Sequence, residues 1–197
     1  MKLLITTLAA LLLAAVVFAT DITPRSVVAL RTPDGRTYCT GFVIDNVRKY
    51  VVTADHCIDA FPHPFINGQQ SNEIFHDPDL DVAVLNAPGV NAEAFAPADA
   101  TPFYGSDLTS AGYANGGDLK IMQHKVMLRA LSVEEISGRW VAYSTAVIMG
   151  MSGGPVLNAE GKVVAVVQLT DQDNNYSVSR MIEDVYPVTA EYWEIKQ

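Results

Sequence analysis

Ser152 lies in Gly150-Met151-Ser152-Gly153-Gly154-Pro155, a glycine-dense turn between two strand-like runs. Glycines let the backbone approach a ligand closely and take positive φ, so successive N–H groups can converge on one point. An oxyanion hole needs that geometry, and the N–H groups of Gly150 and Ser152 are the donors this turn offers. The same letters also describe a flexible hairpin loop. A serine hydroxyl is a weak nucleophile without a base to take its proton, so the catalytic reading depends on a histidine. Four are present, His56, His63, His76 and His124. His56 is the candidate, because Thr53-Ala54-Asp55-His56-Cys57 follows directly on an apolar strand that can aim a side chain into a cleft. His63 and His76 fall in proline-containing loops, and His124 sits in a strand whose alternation reads as surface.

Chain order narrows the architecture. The pattern G-x-S-x-G also describes the nucleophile elbow of α/β-hydrolases, where the histidine comes after the serine. No histidine follows Ser152. The subtilisin order places an aspartate before the histidine on an α/β scaffold, and this chain shows hardly any helical periodicity. Histidine, then aspartate, then serine on an all-β scaffold is what remains.

The elements that must hold these residues read as short β-branched strands: 26–31, 38–44, 50–53 and 80–85, then 108–113, 119–131, 139–148, 162–169 and 176–181. In the fourth, Asp81 shares a face with Ala83 and Leu85, and an acid in so apolar a strand calls for a partner. Helical signals are confined to a turn at 54–58 and a weak stretch at 188–196. The Pro/Ala/Asn/Asp-rich text from Ala87 to Pro102 is the expected linker between two lobes. The fold class is therefore all-β, with residues 20–97 and 98–197 as the two lobes and a short C-terminal helix.

Composition agrees. The chain has 197 residues, 49% hydrophobic and 18% charged, which supports a packed core and excludes whole-chain disorder. With 13 basic and 22 acidic residues the formal charge is -9, and no basic cluster marks a phosphate-backbone partner. Residues 1–19 carry Lys2 as their only charge, then an apolar run ending Val17-Phe18-Ala19. That is the pattern of a secretory signal; the alternative is an uncleaved membrane anchor, which would be the only route to a membrane partner. Export to a periplasmic or extracellular space lets Cys39 and Cys57 pair, whereas retained in the cell they would be free thiols. Cys39, His56, Cys57 and His63 lack the spacing of a zinc finger or ribbon, so no metal is expected.

Taken together, these blocks resemble the trypsin/chymotrypsin-like serine protease superfamily, especially its compact bacterial and viral branches. Residues Thr53 to Cys57 resemble its TAxHC block, and Gly150 to Pro155 its GxSGGP block. Asp77-Pro78-Asp79-Leu80-Asp81-Val82-Ala83-Val84-Leu85 is similar to the D-P-x-x-D-[LI]-A-V-L stretch of HtrA-type members. The resemblance covers roughly residues 26–182 and implies two packed antiparallel β-barrels. It implies a triad of His56, Asp81 and Ser152, a Cys39–Cys57 bridge pinning the histidine loop, a protein or peptide substrate, and no cofactor. Asp79 is the competing acid. The 45 residues after Ser152 are expected to complete the second barrel and leave no room for a PDZ module.

Two departures from the family carry expectations. Met151 stands where trypsin-like zymogens have the aspartate that receives a newly cut N-terminus, so activity is expected without such a cut. Ala146 matches the floor of the primary specificity pocket and Gln168-Leu169-Thr170 its wall, with no acid to receive Lys or Arg. A small or apolar residue before the cut is implied. The rival reading is a catalytically inactive, protease-like binding protein.

Overall fold

The computed structural model describes residues 24–130 and 138–194, and the expected signal segment lies outside them. Two antiparallel sheets form its framework. The first comprises β1 (Val27–Arg31), β2 (Thr37–Asp45), β3 (Tyr50–Thr53), β4 (Phe65–Ile66), β5 (Gln69–Gln70), β6 (Asn72–Asp77) and β7 (Val82–Asn86), in the order β5-β4-β1-β2-β3-β7-β6. Its two edges, β5 and β6, are separated in sequence by Ser71 alone, whose N–H and hydroxyl both donate to the Pro64 carbonyl. The sheet thus curls round until its edges meet through one residue. The second sheet is a closed barrel of β8 (Asp107–Tyr113), β9 (Leu119–Ala130), β10 (Trp140–Ser144), β11 (Pro155–Leu157), β12 (Val163–Asp171) and β13 (Tyr176–Met181), ordered β10-β13-β12-β11-β8-β9.

Strands buried on both faces read as continuous apolar runs rather than as alternation. In Phe42-Val43-Ile44, Val43 points into the first sheet's own core with Leu30, Val51 and Leu85. Phe42 and Ile44 point the other way, into a cluster with Leu157, Val163 and Val166 of the barrel. Val82 and Val84 alternate with Ala83 and Leu85 in the same manner. The interior between the two sheets is therefore a third core, built from the outward faces of both. This packing fixes the sheets against each other and gives the site a rigid base.

The expected linker is a strap. Phe95 N–H donates to the Val43 carbonyl at 2.9 Å, while Ala98 and Val163 bond to Val163 and Ala96 carbonyls at 2.8 and 2.9 Å. The C-terminal helix also differs from the 188–196 expectation: α2 spans Ile182–Thr189. Glu183 and Asp184 in its first turn complement the positive helix end and bind Arg139, each at 2.7 Å. Trp193 then folds back onto Phe42, with ring centroids 6.4 Å apart, and seals the shared core.

Candidate active site

His56 stands in the first turn of α1 (Asp55–Ala60), which follows β3 after one residue. Ala54 offers the helix no side-chain cap, so its first N–H groups need partners from elsewhere. Asp81 supplies one: its Oδ1 accepts from the His56 backbone N–H at 2.9 Å. The same carboxylate lies 3.0 and 2.9 Å from His56 Nδ1 through its two oxygens. One acid thus caps the helix and fixes the ring, leaving Nε2 as the imidazole's free acceptor in the neutral form. The hydrogen bond to Asp81 raises the His56 pKa against the opposing effect of burial, with Asp55 and Asp59 adding to the rise.

Asp81 is not part of the strand. It sits in the turn before β7 with φ 52°, a left-handed conformation that aspartate tolerates better than most residues. The side chain keeps 25% exposure. Asp79, the competing acid, is exposed, and Asp77 folds its carboxylate onto the Leu80 N–H at 3.0 Å rather than standing free in solvent.

Ser152 occupies a corner between two tight turns. Met151 N–H bonds to the Ile148 carbonyl at 3.0 Å, with Gly150 at φ 94° in the third position. Gly154 N–H bonds to the Met151 carbonyl at 2.9 Å, with Gly153 at φ 81° in the third position. A turn of this form demands positive φ there, which is why both positions are glycine. Space demands it too. A Cβ on Gly150 would strike the Tyr113 carbonyl, and one on Gly153 would strike the Thr40 carbonyl, Thr53 Oγ1 and, at 2.7 Å, the Ala54 nitrogen. Both glycines are close backbone approaches, Gly150 to the end of β8 and Gly153 across to the first sheet, and not a slack loop.

Thr40 ties the turn down. Its N–H donates to the Ser152 carbonyl at 2.9 Å and its hydroxyl to the Gly150 carbonyl at 2.7 Å, while accepting from Tyr113 N–H at 2.8 Å. The Ser152 carbonyl is also 3.8 Å from the sulfur of Cys57, the residue after His56. Cys57 is bonded to Cys39 with Cα atoms 6.1 Å apart, closing an 18-residue separation, so neither sulfur is available to a metal. A loop of that size contributes roughly 3 kcal/mol in the chain-entropy picture. Among the described residues the N–H groups of Gly150 and Ser152 donate to no protein acceptor. Met151 is fully buried in the barrel core with Val156 and Val164.

The expected pocket residues divide. Ala146 is buried, and its N–H donates to Asn175 Oδ1 at 3.1 Å. Thr170 reaches the neighbouring Val147 carbonyl through its hydroxyl at 3.3 Å, and Leu169 is 48% exposed beside it. Gln168 turns away: its amide donates to the carbonyls of Leu80 and Asp81.

Three features escaped the sequence reading. Asp55 is buried and accepts from His76 Nδ1 at 3.2 Å; desolvation raises its pKa, with Asp59 adding to the rise. His76 belongs to β6 rather than to a loop. His124 lies inside the barrel, 3% exposed.

Residues 39–166 match the family of trypsin-like peptidase domains. No curated protein matches the chain. Among solved structures, the chain is similar to the Rv3671c protease from M. tuberculosis in its active form, with a TM-score of 0.72 and 22% identity, covering 89% of this chain and 83% of that one. The inactive form of that protease superposes with a TM-score of 0.74 at 22% identity, over 86% and 89% of the two chains. A serine endoprotease from Yersinia pestis follows with a TM-score of 0.71 at 18% identity, over 85% of this chain and 62% of that one.

Proposed function

Because the chain belongs to the trypsin-like peptidases, a family of serine endopeptidases, we propose that it hydrolyses peptide bonds through Ser152, His56 and Asp81. The observation that carries this reading is the His56–Asp81 pair, bonded at 2.9 and 3.0 Å, beside a serine turn with two free N–H groups. Ser152 Oγ attacks the scissile carbonyl while His56 Nε2 takes its proton. The oxyanion of the tetrahedral intermediate accepts from the Gly150 and Ser152 N–H groups. His56 then passes the proton to the leaving amine, and water releases the acyl group by the same route. Asp81 holds Nδ1–H and stabilises the imidazolium that forms.

The pocket favours a small or apolar residue before the cut. Ala146 and Val147 carry no polar side-chain atom, the Ala146 N–H is held by Asn175 Oδ1, and both backbone groups of Val147 are engaged. Val147 N–H donates to Ser177 Oγ at 2.8 Å, and its carbonyl accepts from Gln172 Nε2 at 2.6 Å as well as from Thr170. Neither Ala146 nor Val147 offers a carboxylate to a cationic side chain. Export is part of the same reading: residues 1–19 are a signal, and the Cys39–Cys57 bond suits an oxidising compartment. No helix of the described residues is long and apolar enough to cross a membrane. His56 and Asp81 come from a lobe of residues 20–97 and Ser152 from one of 98–197. A peptide library tests the proposal: cleavage after Ala, Val or Leu is expected, and cleavage after Arg, Lys or Glu, or none, contradicts it.

A further inference from the structure

Gln168 is the extra residue of a β-bulge. The β12–β13 register runs Val167↔Ser179 and then Leu169↔Val178, so Gln168 has no partner on β13. A bulge re-aims a side chain out of its sheet, and this one sends the amide across to the other. Its Nε2 donates to the Leu80 carbonyl at 2.8 Å and to the Asp81 carbonyl at 2.7 Å. The residue before it, Val167, accepts from Gly153 N–H at 2.7 Å, next to Ser152. The two consecutive residues of one bulge therefore hold the serine turn and the acid turn at once.

Arg180 on β13 completes the set. Its side chain is 1% exposed and stacks on Trp140 with its guanidinium carbon 4.0 Å from the ring centroid. Its Nη2 donates to the Asp79 carbonyl at 3.1 Å. Three successive carbonyls, those of Asp79, Leu80 and Asp81, are thus held by side chains of the barrel, in a turn whose last residue has left-handed φ. Packing alone does not require this: an apolar residue of the same length would fill the bulge but leave two carbonyls without donors.

We infer that the Val167–Gln168 bulge, with Arg180 beside it, sets Asp81 in register with Ser152. Gln168 and Arg180 act as positioning residues that reach the chemistry only through Asp81. The inference rests on the triad proposed above and concerns what aligns it.

The test replaces Gln168 with methionine, which keeps length and volume and removes both donors. Two quantities are read: kcat and KM on a cleaved peptide, and the titration of the His56 imidazole by NMR in the full chain. Gln168→Met is expected to lower kcat by about 10- to 100-fold, the effect of a misplacement near 1 Å, with KM within about twofold. The His56 midpoint is expected to move down toward its ordinary value, since Asp55 and Asp59 remain to act on the ring but Asp81 no longer holds it. Should Gln168→Met not fold, Gln168→Asn, a methylene too short to reach both carbonyls, gives the same two readings. An unchanged titration overturns the inference whatever happens to the rate, because it leaves Asp81 in place. Absence of turnover in the wild type contradicts the peptidase proposal instead, and the titration still decides the alignment.

Discussion

His56 and His124 are two imidazoles in one molecule, tuned in opposite directions by what surrounds them. His56 faces the carboxylate of Asp81 at the surface between helix and serine turn, and that hydrogen bond favours its protonated form. His124 is enclosed in the barrel, its Nε2 2.7 Å from Ser110 Oγ and its Nδ1 2.7 Å from the Ser144 carbonyl, with Tyr143 against the ring. Burial lowers its pKa, and the neutral ring donates to Ser144 while accepting from Ser110. A serine and a histidine at hydrogen-bond distance are therefore not a catalytic site by themselves. Both members of the barrel pair are buried away from substrate, and the ring meets a serine hydroxyl and a backbone carbonyl where His56 meets a carboxylate.

The largest difference between the two regions should appear in turnover. Asp81→Asn is expected to lower kcat by about 10⁴-fold, because the amide stabilises the wrong imidazole tautomer. Ser110→Ala should leave kcat within about twofold of the wild type in the same assay. Next in size is Gly153→Ala, whose Cβ meets backbone of Thr40 and Ala54 at a positive φ. It is expected to displace Ser152 and cost about 100-fold in kcat.

Stability separates the regions in the other sense. Ser110→Ala leaves buried Nε2 of His124 without a donor and should cost roughly 1–3 kcal/mol in urea unfolding, with no matching loss of activity. The smallest effect concerns pH. The folded-state pKa of His124 is depressed, so its contribution is present above about pH 6.5 and is lost as pH falls through the folded value. That of His56 is raised, so its contribution is present below about pH 6.5 and lost as pH rises through the folded value. Thermal melts should show the wild type weakening on acidification below about pH 6.5, and His124→Gln should flatten that slope.

The sequence made the all-β class and the glycine turn more legible than the details of the scaffold between them. Gly150 and Gly153 were readable because positive φ and close approach leave few residue types to choose from. The doubly apolar strands were readable for the same reason of burial. Asp81 was identified through family resemblance, yet its place in a left-handed turn was not, since an acid before Val82 looks the same as one within the strand. The β4–β5 hairpin carried a signal that went unused: Asn67 and Gly68, at φ 50° and 80°, form the two-residue turn that Asn-Gly favours. β6 is largely exposed and shows no alternation to detect. In β9 apolar residues fall on both phases, so the inward side of His124 was decided by partners on β8 and β10 that sequence does not place.

Treating the folded protein with a fluorophosphonate and mapping the adduct by mass spectrometry shows whether His56 activates Ser152 as a nucleophile. Modification of Ser152, lost in Ser152→Ala and strongly reduced in His56→Ala, with Ser110 untouched, is the predicted result. An unmodified Ser152 in active, folded protein, or an adduct that persists when His56 is replaced, would contradict the account.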